Sequence, residues 1–211
     1  MIVMATACAP RTATYVDPQF RKAGLGDVKA PAKKYSTVVS VEFLRDGNRR
    51  DEVDGTLKAA VEKAMVASGV MLPSLQKGDI AIKVVVNNIT NSTSSFWKSF
   101  GTGLTLGLVG STVTDAYVAT ITMTYAKGEI IKKEYKHALH TTVGAKSAPV
   151  ENSQPTTPAA GFDKVMEDIM LNFISEMQAQ QMLTMNDYMH ELFMSTYSRL
   201  FDSNTSFAKQ S

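Results

Sequence analysis

From Tyr117 to Tyr125 the chain alternates without a break. Tyr117, Ala119, Ile121, Met123 and Tyr125 fall on one side, and Val118, Thr120, Thr122 and Thr124 on the other. Only an extended strand sends neighbouring side chains to opposite faces; in a helix a face recurs every three to four positions. Ala126-Lys127-Gly128-Glu129 follows as a short turn, and Ile130 to Thr141 returns with Ile131, Tyr135 and Leu139 on one face. This is a β-hairpin, and it commits the chain to a sheet. Lys132, Lys133 and Lys136 charge the outer side of the returning strand, which predicts a place near a sheet edge.

The other elements follow from the same periods. Tyr35 to Leu44 is β-rich, with Tyr35, Val39, Val41 and Phe43 in step, and Asp46-Gly47-Asn48 closes it as a turn. The mixed-sign run Arg49 to Glu52 reads as a solvated loop. Asp54 to Ser68 has a helical stripe through Leu57, Val61, Ala64 and Met65, with Asp54 or Thr56 as cap and Gly69 as its left-handed end. Asp79 to Ile89 is a second strand. Its Ile80, Ile82, Val84 and Val86 make one face fully apolar and the other is mixed, as in a sheet covered on one side. Val143 to Ala160, rich in Ser, Thr, Pro and Ala, reads as a loop. Gly161 to Gln181 is an amphipathic helix with a stripe from Phe162 through Met166, Met170 and Phe173 to Met177; core filling is the default reading of its methionines, and a groove for a partner or second copy is the alternative. A further helix is expected near Asn186 to Phe201, followed by a disordered tail.

These elements predict an α/β or α+β domain over residues 35–181: a mixed sheet of about four strands with helices packed on one face, in the order β-α-β-loop-β-β-α-α. The first strand–helix–strand unit favours a parallel pair. Residues 182–211 form a C-terminal helix and tail. A chain of 211 residues suits one such domain.

Between the second strand and the hairpin runs a stretch with no charge from Lys98 to Asp115. It opens on Phe96 and Trp97, the only tryptophan, and passes through Gly101, Gly103, Gly107 and Gly110. It is too short and too polar to span a membrane as a helix, which takes roughly 20 mostly apolar residues. It is also too apolar for an ordinary solvent loop. Phe96, Trp97, Phe100, Leu104, Leu106 and Leu108 either complete the core at the sheet edge or form a surface for a partner or a membrane. Leaving all six wet would forfeit about 1.5–3 kcal/mol each, so some are expected to be buried, with a partly exposed apolar edge left for association.

The chemical inventory predicts no enzyme. His137 and His140 are three apart on a strand and so on opposite faces, poor geometry for a shared metal, and they read as exposed hairpin residues. His190 has no companion in sequence. The glycine spacing after Trp97 misses the dinucleotide fingerprint by one position, and no nucleophile elbow or zinc-protease motif occurs. Glu167 and Asp168, adjacent on a helix, point in different directions and read as a solvated face. A net charge of +2 leaves no patch dense enough for nucleic acid. No cofactor or metal is expected.

The N-terminus reads Ala5-Thr6-Ala7-Cys8 followed by Ala9-Pro10, with Cys8 the only cysteine. Small residues before a cysteine and polar, proline-containing sequence after it resemble the end of a bacterial lipoprotein signal peptide. Ala5 stands where that pattern usually has leucine. The charged start and most of the roughly 7–15-residue apolar region are missing, so a start upstream of Met1 is expected. The resemblance implies a lipid on Cys8. Since Ala9 rather than aspartate follows, it implies sorting to the outer membrane, on its periplasmic side. Arg11 to Lys34, with Pro18 and Pro31, reads as a flexible tether, and residues 1–34 as signal remnant, anchor and linker.

The element order behind this cysteine resembles a group of periplasmic lipoprotein domains: the N-terminal domain of the Tol–Pal translocation protein, the curli secretion-channel lipoprotein and the activator lipoproteins of penicillin-binding proteins. Phe96-Trp97 and Gly103-Leu104-Thr105-Leu106-Gly107-Leu108 also look like a tract of proteobacterial lipoproteins, although Val109-Gly110 stands where that tract has proline. The resemblance implies a non-enzymatic envelope protein, an adaptor or assembly factor that contacts other envelope proteins or a second copy of itself. The alternative is a soluble ligand-binding or enzymatic domain with a pocket under Gly101 to Gly110.

Overall fold

The alternating hairpin is the middle of a sheet. A computed structural model of the chain describes residues 12–76, 78–90, 112–125, 128–143 and 148–183. The strands in chain order are β1 (Thr12–Val16), β2 (Tyr35–Arg45), β3 (Asn48–Arg49), β4 (Met71–Ser74), β5 (Ile80–Ile89), β6 (Thr112–Tyr125), β7 (Ile130–Val143) and β8 (Pro155–Thr156). The helices are α1 (Asp54–Ser68) and α2 (Pro158–Ala179). The strands lie in the order β3-β2-β5-β6-β7-β1-β8, with β4 beside the start of β2.

Among the described residues the sheet has eight strands, not about four. The four long ones, β2, β5, β6 and β7, are those the alternation predicts. The rest are between two and five residues long, too short for a period of two to be read. The pair β2–β5 is parallel, with α1 in the connection, and β5–β6–β7 is antiparallel.

Both helices cover one face. The core lies between them and the inward residues of the long strands, among them Val39, Ile82, Val84, Ile121 and Met123, all buried. From α2, Met166, Met170, Phe173 and Met177 enter this core, so the described methionines do fill it. Each such side chain contributes about 1.5–3 kcal/mol by leaving water. Gly161 lets α2 press onto the sheet: a Cβ there would meet Leu139 Cδ1 at 2.8 Å and Thr14 Cγ2 at 3.2 Å.

The helix ends differ in part from expectation. Gly69 closes α1 in the left-handed conformation at φ 71°, as read. The α1 start has no side-chain cap; Asp54 instead accepts from the Phe43 backbone N–H at 2.8 Å and from Arg49. Arg49 is therefore a clamp between β3 and α1 rather than part of a solvated run. α2 begins at Pro158, inside the expected loop, because Thr157 caps it by accepting from the Ala160 N–H at 3.2 Å.

The tether over residues 11–34 is the largest correction. Within it β1 pairs antiparallel with β7, Thr12 opposite Val143 and Val16 opposite Leu139. The chain then crosses α2 as a strap. The Asn172 carboxamide accepts from Lys22 and Ala23 N–H at 2.8 and 2.9 Å and donates to Phe20 C=O at 2.8 Å. Gln178 repeats this on Lys29, accepting at 3.0 Å and donating at 2.5 Å. Residues without periodicity are ordered here because two amides stand in for a neighbouring backbone.

Candidate functional site

The parallel strands β2 and β5 end at the rim of an open cleft of about 540 Å³. The carboxyl ends of parallel strands are where α/β sheets leave room for ligands, because the helices pack away from the sheet's edge there. Phe43 and Arg45 come from β2, Asn88 from β5, and Asp115 and Tyr117 from β6. Arg50, Glu52, Val53 and Thr56 come from the approach to α1, and Pro158, Ala159, Phe162 and Asp163 from the start of α2.

Aromatic rings form the floor. Phe162 stands edge-on to Phe43, with centroids 6.2 Å apart, and edge-on to Tyr117 at 5.8 Å. This edge-to-face arrangement is a favoured geometry for aromatic pairs and fixes the rings. The rim is charged in both signs. Asp163 pairs with Lys63 at 2.8 Å, and Glu52 with Arg50 at 3.9 Å. Asp115 accepts from the neutral Asn88 amide at 3.3 Å.

Arg45 is exposed, and among the described residues it has no ion-pair or hydrogen-bond partner. Tyr117 is only 6% exposed, and its hydroxyl likewise has none. Burial pushes the Tyr117 hydroxyl well above the ordinary phenol range; Asp115 adds to the shift and Arg45 opposes it, so both charges act on that hydroxyl.

A second polar feature is buried. His137 and His140 are 0% and 1% exposed, which corrects their reading as exposed residues. They do point to opposite faces. On the helix face, His137 Nε2 lies 3.3 Å from Asp168 Oδ2, and its Nδ1 accepts from the Ala138 N–H at 2.9 Å. Asp168, 2% exposed, also has Lys164 Nζ at 3.1 Å and Arg21 Nε at 3.7 Å, so it is no solvated helix residue. Burial alone would push this carboxyl up, but His137 and Lys164 outweigh it, and it titrates below the ordinary range.

On the other face, His140 Nε2 lies 3.3 Å from Asp17 Oδ2, and its Nδ1 lies 2.9 Å from Thr114 Oγ1. Asp17 is fully buried and also accepts from the Gln19 N–H at 3.1 Å and Gln19 Nε2 at 2.5 Å. Burial raises its carboxyl, and these hydrogen bonds bring it below the usual range.

Hydroxyl, imidazole and carboxylate in a row have the form of a nucleophile relay. Here the sheet register explains the contact. Thr114 is directly opposite His140 in the β6–β7 ladder, where side chains on one face meet in any case. Both His–Asp pairs tie β7 to elements that flank it: His140 to the residue after β1, and His137 to α2. The lysines of β7 also need correcting. Lys133 faces α2 and pairs with Glu176 at 2.6 Å, whereas Lys132 and Lys136 lie on the opposite face. β7 is interior where β1 flanks it, and its lysine half lies beyond the reach of β1.

The residues predicted to carry function, Cys8 and Phe96, Trp97, Phe100, Leu104, Leu106 and Leu108, lie outside the described residues, as do the pocket expected under Gly101 to Gly110, His190 and the expected final helix. The structure places the ends of the apolar stretch, Thr90 and Thr112. Thr90 is held by Asp46, which accepts from its N–H at 2.8 Å and its hydroxyl at 2.6 Å. The cleft was not predicted from sequence. Its one legible signal was Phe43 and Tyr117 on the apolar faces of two strands.

No family model matches the chain, and no curated protein matches it. Among solved structures it is similar to the PelC dodecamer from Paraburkholderia phytofirmans, at 10% identity and a TM-score of 0.36, covering 76% of this chain and 94% of that one. It is also similar to a minor lipoprotein from Acinetobacter baumannii, at 15% identity and a TM-score of 0.38, covering 71% and 95%. A third is rare lipoprotein B from Shewanella oneidensis, at 11% identity and a TM-score of 0.27, covering 77% and 98%. These likenesses assign no role to any residue.

Proposed function

We propose that the protein is a lipid-anchored component of the bacterial envelope that acts by contact rather than catalysis, as an adaptor or assembly factor at the periplasmic side of the outer membrane. Ala5-Thr6-Ala7-Cys8 supplies the anchor. The observation that carries the reading is the start of β1 at Thr12, already paired with β7. The sheet begins four positions after Cys8, a reach of at most roughly 14 Å at 3.3–3.6 Å per residue. A lipid at Cys8 would hold the sheet itself against the bilayer, with β1 as the mechanical link, and several acyl chains make such an anchor stable. Partners are other envelope proteins or a second copy. The contact surface proposed for them is the apolar stretch with Phe96, Trp97, Phe100, Leu104, Leu106 and Leu108.

The test is fractionation of cells that make the wild type and Cys8→Ala. The wild type sediments with membranes and the variant is released. Equal sedimentation of the two would exclude anchoring at Cys8. Trp97→Ala, assayed alongside, stays in the membrane fraction and loses the protein recovered with the wild type. A ligand-binding domain is the second reading, and the cleft between β2, β6 and α2 favours it. The two are compatible, since an anchored protein can carry a ligand site.

A further inference from the structure

The cleft pairs three features that ligand recognition needs and the fold does not. It has an aromatic floor left open above Phe43, Tyr117 and Phe162. It has a hydroxyl, that of Tyr117, on a residue more than nine-tenths buried and with no hydrogen bond among the described residues. Tyr117 lines the cleft, so this hydroxyl is open to a molecule bound there. Finally, its charges are unevenly balanced. Asp163 and Glu52 have cationic partners, Lys63 and Arg50. Among the described residues, Arg45 has no partner and Asp115 has only the neutral amide of Asn88. Among the described residues, one positive and one negative charge therefore lack an ionic partner, and both act on the same phenol.

We propose that this cleft binds a zwitterion with a large apolar side chain, an amino acid or a short peptide. The carboxylate accepts from Arg45 and from the Tyr117 hydroxyl, the ammonium faces Asp115, and the side chain lies on the three rings. A simple anion would satisfy Arg45 and be repelled by Asp115; a simple cation would meet the reverse. A neutral apolar molecule would offer no counter-charge to Arg45 or Asp115 and no acceptor to the Tyr117 hydroxyl. Volume agrees, since about 540 Å³ lies within the usual span of small-molecule sites, roughly 300–1,000 Å³. The inference does not depend on anchoring at Cys8, and its test involves no membrane.

The test is a backbone-amide NMR titration of the full chain with L-phenylalanine, with glycyl-L-phenylalanine, and with N-acetyl-L-phenylalanine amide, which carries the same ring and no charge. The expected result is saturable shifts at Phe43, Asp115, Tyr117 and Phe162 with at least one of the two zwitterions. The tighter of these identifies the source as a free amino acid or a peptide. The neutral amide binds at least about tenfold more weakly, the size of one lost charge-assisted contact. Arg45→Gln and Asp115→Asn each weaken the zwitterion about tenfold and leave the neutral amide unchanged. Arg45 is exposed, so Arg45→Gln keeps the wild-type melting temperature and reports on binding alone. Equal affinity for the neutral amide, unchanged affinity in both variants, or no shift with either zwitterion up to about 20 mM, weaker than the millimolar floor of useful recognition, would each overturn the proposal.

Discussion

At the scale of the residue, the decisive group is Asp168. A carboxylate this deeply buried is destabilising by itself, and it is held by His137, Lys164 and Arg21 on three sides. Its folded pKa lies below the ordinary value of 3.8. A depressed carboxylate contributes stability that is complete above the unfolded pKa, near 4, and is lost as pH falls through the folded value. Asp17, depressed likewise, behaves in the same way. Asp168→Asn is therefore expected to lower stability by about 1–3 kcal/mol at pH 7, where the wild type holds its charge. The gap should narrow below pH 4, where the wild type gives up the same contribution. Urea melts of both proteins at pH 7 and pH 3 check this; a gap that stays constant or widens in acid would assign the effect to packing instead.

Among the elements, the strap is the one that sequence period could not find. It has few buried apolar residues of its own, Ala23 being one, and hangs from Asn172 and Gln178. Asn172→Ala removes an acceptor shared by two N–H groups and a donor to a third backbone group. The expected loss is about 2–3 kcal/mol, since buried backbone groups are left unsatisfied. Hydrogen exchange should show faster exchange at Lys22 and Ala23 than in β6, whose protection should follow global stability. Unchanged exchange at those two amides would mean that the strap is held by other contacts. By contrast, α2 was legible: its apolar stripe matches its buried side, and its methionines lie in the core.

For the whole molecule, the question is where the folding unit begins. Residues 35–181 contain the long strands and both helices, and a reading by period puts the boundary at Tyr35. The structure puts β1 between β7 and β8, with Tyr15 and Asp17 buried. A chain starting at Tyr35 would expose one side of β7 from Leu139 to Val143, leave His140 without Asp17, and uncover Asn172 on α2. Such a chain is expected to lose cooperative thermal unfolding, or to melt at least about 10 °C lower, as a loss of several kcal/mol implies. A removable tether would leave the melting temperature unchanged, and differential scanning calorimetry separates the two.

What the sequence determined by itself was everything that repeats over enough residues. β5 from Ile80 to Val86 and β6 from Tyr117 to Tyr125 alternate with one apolar face, α1 has a helical stripe closed by Gly69, and Asp46-Gly47 turns β2 back into β3 with φ of 49° and 81°. These are local rules, since backbone period and turn geometry are set by neighbours in the chain. The tertiary structure decided what depends on residues far apart in sequence. His137 meets Asp168 and His140 meets Asp17 across 31 and 123 positions, and Asn172 reaches Ala23 across 149. A histidine or an asparagine carries no mark of such a partner in its own neighbourhood. The cleft is of the same kind: Arg45, Tyr117 and Phe162 come from a strand end, a strand and a helix start. Packing brings them to one place, and only there do a charge, a phenol hydroxyl and an open ring face line one cleft.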